Sequence, residues 1–575
     1  MTTSLASLNT GEEGTPGLTP SLADVLTAIP SLDGISDQTR QNLASAIRTF
    51  GRVLDREPQF VPIAAPVLRR AFEQASPGAI GLSPSRWGNV KADVRRAVTL
   101  SGLSTAAVID KVPLTGAWET VVQMEAHPVH RSMLTRFARF CCSVQVPPTD
   151  VNDQVMGRFF HDLDTNQLSK TPERIVRDTV RFWNRAIATD PSGQFVELSR
   201  RAQDRTYTPT WNGLPRSLYE DAKAFHDASV APRTFKSRVV VGTVRPVSAD
   251  QYDRMVRRLA AAEIHAGVDI GTLQSLADLV RPSNLEKGLE FFLARPGGKA
   301  GRQPFDMAML AMKIARDWAR LAADEVAKIV EWTKALRYRQ DGMTEKNRER
   351  LRQFANPEAI RSLLTLPDVL SARALSQPLA YKSAMQMQKA VAIAILLAAP
   401  IRLNNLRQVD RHLHLRRAFS VDVETWELVV PAREVKNSVE LHLPMPKRVT
   451  ELIDLYMSDY QPLLTGNTPC SLLFPGRTGN PKDGGGLSAL ISKTIKKELG
   501  LRVNTHLFRH FAAYVFLTSH PGEFETVRQL LGHRSLQTTV NFYASFESEM
   551  AGRRYNEVLQ ALRGDTGGDL WRRQG

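Results

Sequence analysis

At 575 residues the chain is too long for one hydrophobic core, so several domains are expected. Its 42% apolar and 23% charged residues are ordinary for a folded soluble protein. The formal net charge of +16 suits a polyanionic partner, because each phosphate neutralised by Lys or Arg releases counterions, although a basic surface kept for solubility accounts for it equally well. Cys141, Cys142 and Cys470 form neither a CxxC pair nor an even disulfide set, which points to a reducing cytoplasm. The first residues lack a basic segment followed by an apolar one, so no secretory signal is expected. The longest apolar run, Ala390–Ala399, ends at Pro400 and is too short to span a bilayer.

In chain order, residues 1–37 read as a disordered tail, with no Lys or Arg before Arg40. Three helical modules are predicted at 38–110, 120–205 and 249–335, each an amphipathic helix, a turn, a second helix and a basic third one. The third helix of the first module carries Arg86, Lys91, Arg95 and Arg96. That of the second carries Arg174, Arg177, Arg181 and Arg185 at spacings that share one helix face. Such a ladder is either a solvated face or a row of phosphate contacts. Pro-rich and charged stretches at 206–248, with Arg233 and Lys236, and at 336–357 are predicted linkers, the former also a candidate DNA contact.

From residue 358 to 563 the pattern changes to helices enclosing a short β region. Strands are predicted at Arg411–Leu415, Phe419–Val423, Leu428–Pro431 and Val439–Leu443. Helices follow at Arg448–Tyr460, Leu487–Leu499, His506–Thr518, Phe524–Leu531, Gln537–Phe546 and Ser548–Leu562, before a loose tail from 564 to 575. The fold class is therefore mainly α with a small antiparallel sheet. His412 and His414 lack a third ligand for a metal, and the glycine-rich loop Pro481–Gly486 lacks the GK[ST] ending of a phosphate loop.

The most specific signal is a set of pieces in fixed order: Thr505-His506-Leu507-Phe508-Arg509-His510, then Leu530-Leu531-Gly532-His533, then Gln537-Thr538-Thr539-Val540-Asn541-Phe542-Tyr543. His506 and Arg509 project from one helix face, and Gly532 can end a helix in the left-handed conformation and present His533. Each piece alone is weak, since a Tyr on an amphipathic helix is usually core. In this order they resemble the C-terminal signature of the tyrosine recombinase (phage integrase) family. The resemblance implies a mixed α/β catalytic domain preceded by helical DNA-binding modules, and two further basic residues. Arg402, after the apolar helix and Pro400-Ile401, matches the family's first arginine, and Lys436 its hairpin lysine.

The chemistry implied is attack by the Tyr543 phenol on a DNA phosphodiester. Arg402 and Arg509 would neutralise the non-bridging oxygens through forked contacts. Lys436 would protonate the leaving 5′-oxygen, His506 would take or relay the phenolic proton, and His533 would donate to the phosphate. The product is a 3′-phosphotyrosyl ester, formed with no metal, nucleotide or other cofactor. The family further implies recombination sites on double-stranded DNA, a homotetrameric synapse on DNA, and a cytoplasmic, nucleoid-associated protein with no membrane attachment. Two departures stand out: Asn405 occupies a place that is commonly acidic, and the interval from His533 to Tyr543 is one residue longer than in many members. A catalytically inactive DNA-binding regulator and a type IB topoisomerase-like enzyme are the alternatives. The complete set Arg402, Lys436, His506, Arg509, His533 and Tyr543 weighs against the first, and the several helical modules without a long coiled-coil linker against the second.

Overall fold

The structure is a computed structural model that describes residues 20–103, 112–168, 171–188, 190, 193–199, 208–232, 243–294, 301–338, 342–420, 423–466, 468–476 and 479–563. Arg233 and Lys236 lie outside the described residues. The fold is mainly helical with one three-stranded antiparallel sheet. The chain forms two compact units, residues 1–200 with 341–575, and residues 201–340.

In the first unit, helices Leu22–Ala28, Asp37–Leu54, Ala65–Gln74 and Pro84–Leu100 share a core. Phe50 sits 4.8 Å from Phe72 and 5.8 Å from Trp87, ring centre to ring centre. The first of these helices lies inside the stretch that composition assigns to a tail. A Ser21–Asp24 capping box starts it, and burial of Leu22 and Val25 holds it. A second core gathers Trp118, Phe137, Phe159 and Trp183 from helices Gly116–Gln123, Pro128–Ser143, Asp153–Thr165 and Pro172–Ile187. Arg69 joins the two cores: its guanidinium donates to the carbonyls of Leu163 (3.2 Å) and Gln167 (2.7 Å), the orphan acceptors at a helix C-terminus.

The largest core spans residues 343–543. Helices Pro357–Leu375 and Tyr381–Ala398 pack together, the second burying a nearly continuous run from Ala390 to Leu396. The sheet is a meander of β1 (Leu415–Ser420), β2 (Val423–Val430) and β3 (Leu441–Pro444), with Leu415 opposite Leu428 and Leu428 opposite Leu443. Residues 411–414, predicted as a strand, form a turn instead. The Asp410 carboxylate accepts from the backbone N–H groups of His412 (2.8 Å) and Leu413 (3.1 Å), and that local bond competes with strand pairing. The two helices predicted after residue 536 are one, Leu536–Arg563, because neither Gly nor Pro interrupts it before Gly552. Within the predicted linker 336–357 the chain instead forms helix Glu345–Arg352 and the turn Gln353–Ala355, because Leu351 and Phe354 are buried in this core. Gly78 of the first helical module lies so close to the Leu499 carbonyl that a Cβ would meet it at 2.2 Å. Only glycine permits that docking.

The second unit comprises helices Arg216–Val230, Pro246–His265, Leu276–Val280, Pro282–Leu293, Arg302–Lys313 and Ala323–Ala335. Its first helix lies in the predicted linker 206–248, where Pro215 stands at the N-cap rather than breaking the chain, and Leu218 and Phe225 enter the core. Glu263 is fully buried there, with no hydrogen-bond partner for either carboxylate oxygen, and burial raises its pKa well above the usual range.

Candidate active site

Helix Leu507–Ser519 begins where the Asn504 side chain accepts the Leu507 N–H at 2.8 Å. His506 is its N-cap residue and stays exposed, while Arg509 and His510, one turn on, are each 3% exposed. The Arg509 guanidinium donates to the carbonyl of Pro400 at 2.7 Å and to that of Leu531. It therefore ties together the ends of helices Tyr381–Ala398 and Phe524–Leu531. Burial and then the charge of Arg402 lower its pKa to about 10.

Arg402 is the N-cap residue of the short helix Leu403–Arg407. Burial lowers its pKa, and its Nη1 is buried with no hydrogen-bond partner. Among the described residues neither guanidinium faces a carboxylate. Two desolvated cations without a counterion are costly, and an anion bound between them would relieve that cost.

His533 follows Gly532, whose φ of +59° ends helix Phe524–Leu531. Its Nδ1 lies 2.9 Å from Thr539 Oγ1, and desolvation, then Arg509, Arg402, Arg528 and His506, push its pKa down to about 4. Partial desolvation, then Arg509, Arg402 and Lys436, lower the pKa of His506. Arg402 thus acts on His506, Arg509 and His533, and Lys436 on His506, so the fold brings the five predicted basic groups within electrostatic reach of one another. Lys436 is exposed, in the ten-residue loop between β2 and β3 rather than at a tight hairpin tip.

Tyr543 is placed differently from the expectation. It is 2% exposed on helix Leu536–Arg563, and its hydroxyl lies 3.1 Å from Nδ1 of His510, not beside His506. The His506 and His510 rings are 5.0 Å apart, and the Arg509 charge reaches the Tyr543 hydroxyl. Burial raises the Tyr543 pKa and lowers that of His510 to about 3, which keeps both partners neutral. Sequence reasoning missed His510. Its signal was its place four residues after His506, on the same helix face. Asn347 lies 3.5 Å from the other ring nitrogen of His510, and Gly342 packs against the Asn541 carbonyl, so residues 342–352 cover this pair.

Asn405, at the position that is commonly acidic, is 6% exposed and donates to the Glu434 carbonyl at 3.1 Å. Among the described residues no group of three His, Cys, Asp or Glu side chains is disposed to hold a metal.

The predicted DNA-contacting residues divide. Arg86 is exposed, Lys91 lies over the Trp87 ring at 5.5 Å, and Arg95 is half-buried over Phe72 at 4.6 Å. Arg174 and Arg177 point outward but flank Asp178 at 3.4 and 3.6 Å, and Arg181 lies over Phe182. Arg185 is bound to Glu125, whose carboxylate is 4% exposed, so it serves the module's own core. Phe182 and Trp183 are buried and offer no face to a base.

Residues 369–549 match the family model described as the phage integrase family. No curated protein gives a significant match to the chain. Among solved structures, XerH site-specific recombinase bound to difH substrate, a pre-cleavage complex, is 14% identical over 51% of this chain and 74% of its own, with a TM-score of 0.34. A lambda integrase dimer bound to a COC′ core site is 14% identical over 65% and 87%, with a TM-score of 0.32. XerA recombinase is 14% identical over 58% and 98%, with a TM-score of 0.23. Among the described residues no helix is long and apolar enough to cross a membrane.

Proposed function

We propose, from the match of residues 369–549 to the phage integrase family model, that this protein is a site-specific DNA recombinase using Tyr543 as its nucleophile. The observation that carries the reading is the cationic cluster: a buried Arg509 and a partly buried Arg402 with an unpartnered Nη1, flanked by histidines whose pKa values are lowered. A phosphodiester seated there supplies the missing anion. Arg402 and Arg509 then neutralise charge that grows on the non-bridging oxygens as the phenol attacks. Arg509 keeps its orientation because two backbone carbonyls hold its guanidinium from behind.

In the arrangement seen, proton transfer from Tyr543 to His510 is disfavoured from both sides, so the phenol is held rather than activated. Its hydroxyl has to leave His510, and His506 then takes the proton. The Tyr543 oxygen then bonds to phosphorus, the bond to the 5′-oxygen breaks, and Lys436 protonates that leaving oxygen. Religation by a 5′-hydroxyl reverses the sequence, so no external energy source is consumed. The helical modules clamp duplex DNA, and a homotetrameric synapse exchanges the strands.

The test is denaturation of the wild-type protein on genomic DNA of its own host, followed by mapping of DNA ends that remain attached to it. Wild type should retain covalent ends at defined sequences, and the Tyr543→Phe variant none. Attachment that survives in Tyr543→Phe would refute the nucleophile. Absence from wild type would favour the inactive regulator, and attachment without sequence preference, with relaxation of supercoiled DNA, the topoisomerase-like enzyme.

A further inference from the structure

The loop that carries Lys436 spans ten residues, long enough to wander, yet it is held at both ends by contacts of its own. On the near side, Asn405 donates to the Glu434 carbonyl at 3.1 Å, and the Glu434 carboxylate lies 2.8 Å from Nε2 of His414. The other ring nitrogen of His414 accepts the Asp410 N–H at 2.9 Å, so Nε2 carries the hydrogen and donates to Glu434. Val435, next to the lysine, is fully buried. On the far side, the Asn437 side chain donates to the Gly532 carbonyl at 2.9 Å. Gly532 is also where β3 closes on that turn: a Cβ there would meet the Leu441 side chain at 2.7 Å.

Resting on the proposed function, we infer that Asn437 is a positioning residue for Lys436, coupling the proton donor to the turn that presents His533. The residue after Gly532 is His533, so one amide–carbonyl bond spans the two elements that must meet opposite sides of the same phosphate. Proton transfer to the leaving oxygen demands hydrogen-bond reach, and a displacement of about 1 Å can cost roughly a hundredfold in rate. An exposed lysine on an unheld loop would sample many positions. Tied at Glu434 and Asn437, on either side of it, it samples few.

The experiment uses single-turnover cleavage of a duplex bearing the protein's own attachment site, mapped as above, with either the natural leaving 5′-oxygen or sulfur in its place. A thiolate leaves without a proton, since its conjugate acid has a pKa of roughly 8.5 against the far higher value of an alcohol. Asn437→Ala should slow cleavage of the oxygen substrate roughly 10- to 100-fold while leaving the sulfur substrate within about twofold of wild type. Asn437→Leu, which keeps the side-chain volume, should behave alike and covers the case in which the smaller residue loosens the fold. Equal slowing of both substrates would show a merely structural role and overturn the inference. Unchanged cleavage of both would also overturn it. Lys436→Ala is run alongside: if sulfur does not restore its cleavage, the assignment of Lys436 as proton donor fails, and the inference falls with it. That failure is distinguishable, because it shows in the lysine variant itself.

Discussion

Replacing Tyr543 with Phe removes one hydroxyl and leaves the ring packing in place, so its effect on stability can be worked from the His510 contact. The hydroxyl lies 3.1 Å from an imidazole that is 3% exposed. Its loss withdraws a buried hydrogen bond and leaves Nδ1 without that partner, which costs about 1–3 kcal/mol. His510→Leu alone loses the same bond, and replacing both partners by apolar groups removes the mismatch. The double variant should therefore be more stable than the sum of the singles allows, by about 1 kcal/mol. A chain of several domains does not unfold in one step, so the assay is amide hydrogen exchange within helix Leu507–Ser519, a local readout. The pH dependence has a defined sign. His510 has a folded pKa of about 3, below its unfolded value of about 6.5, so its contribution is present above pH 6.5 and is lost as pH falls. Each pH unit between about 6 and 4 should cost about 1.4 kcal/mol, and His510→Leu should remove that part of the acid sensitivity. Equal protection in wild type and Tyr543→Phe, with additive single variants, would show that the hydroxyl does not bond His510 in solution.

Asn405→Glu should lower thermal stability by roughly 2–3 kcal/mol, because it sets a buried carboxylate against the Glu434 carbonyl that Asn405 now donates to; an unchanged melting temperature would contradict the contact. Glu263→Leu should stabilise the unit 201–340. The raised pKa of Glu263 makes its stability contribution full below about pH 4.3 and progressively lost above it, so the gain from Leu grows with pH, by about 1.4 kcal/mol per unit. A gain independent of pH in urea unfolding would refute it. Neutralising Arg174, Arg177 and Arg181 should flatten the salt dependence of DNA binding, with about 0.9 lost from the log–log slope per phosphate contact. Arg185→Ala should instead destabilise its module by up to about 3 kcal/mol, since Glu125 is left buried without its cation; unfolding midpoints and binding isotherms of the two variants separate these outcomes.

Residues whose spacing is set along one helix were legible without coordinates. The His506–Arg509 face, the glycine that ends a helix before His533, and the apolar run Ala390–Ala399 leading to Arg402 follow from helical periodicity and from the freedom of glycine to adopt positive φ. So does the general plan of helical modules before a small sheet, because amphipathic patterns and alternating runs are local properties. Helix breaks were less legible: prolines at 215 and 357 read as interruptions but stand at helix starts, where the missing N–H costs nothing.

What depended on distant parts of the chain could be decided only in three dimensions. The direction of the Tyr543 hydroxyl is set by packing between helices Leu507–Ser519 and Leu536–Arg563, which selected His510 over His506 as its partner. The role of Asn405 is set by a backbone carbonyl 29 residues away, and that of Arg185 by a carboxylate 60 residues earlier. Sequence determined which ionisable groups this protein has, because each type carries its own charge, pKa and geometry. Tertiary structure alone decided which of them are desolvated and face each other, because burial and Coulomb interaction depend on distance in space rather than along the chain.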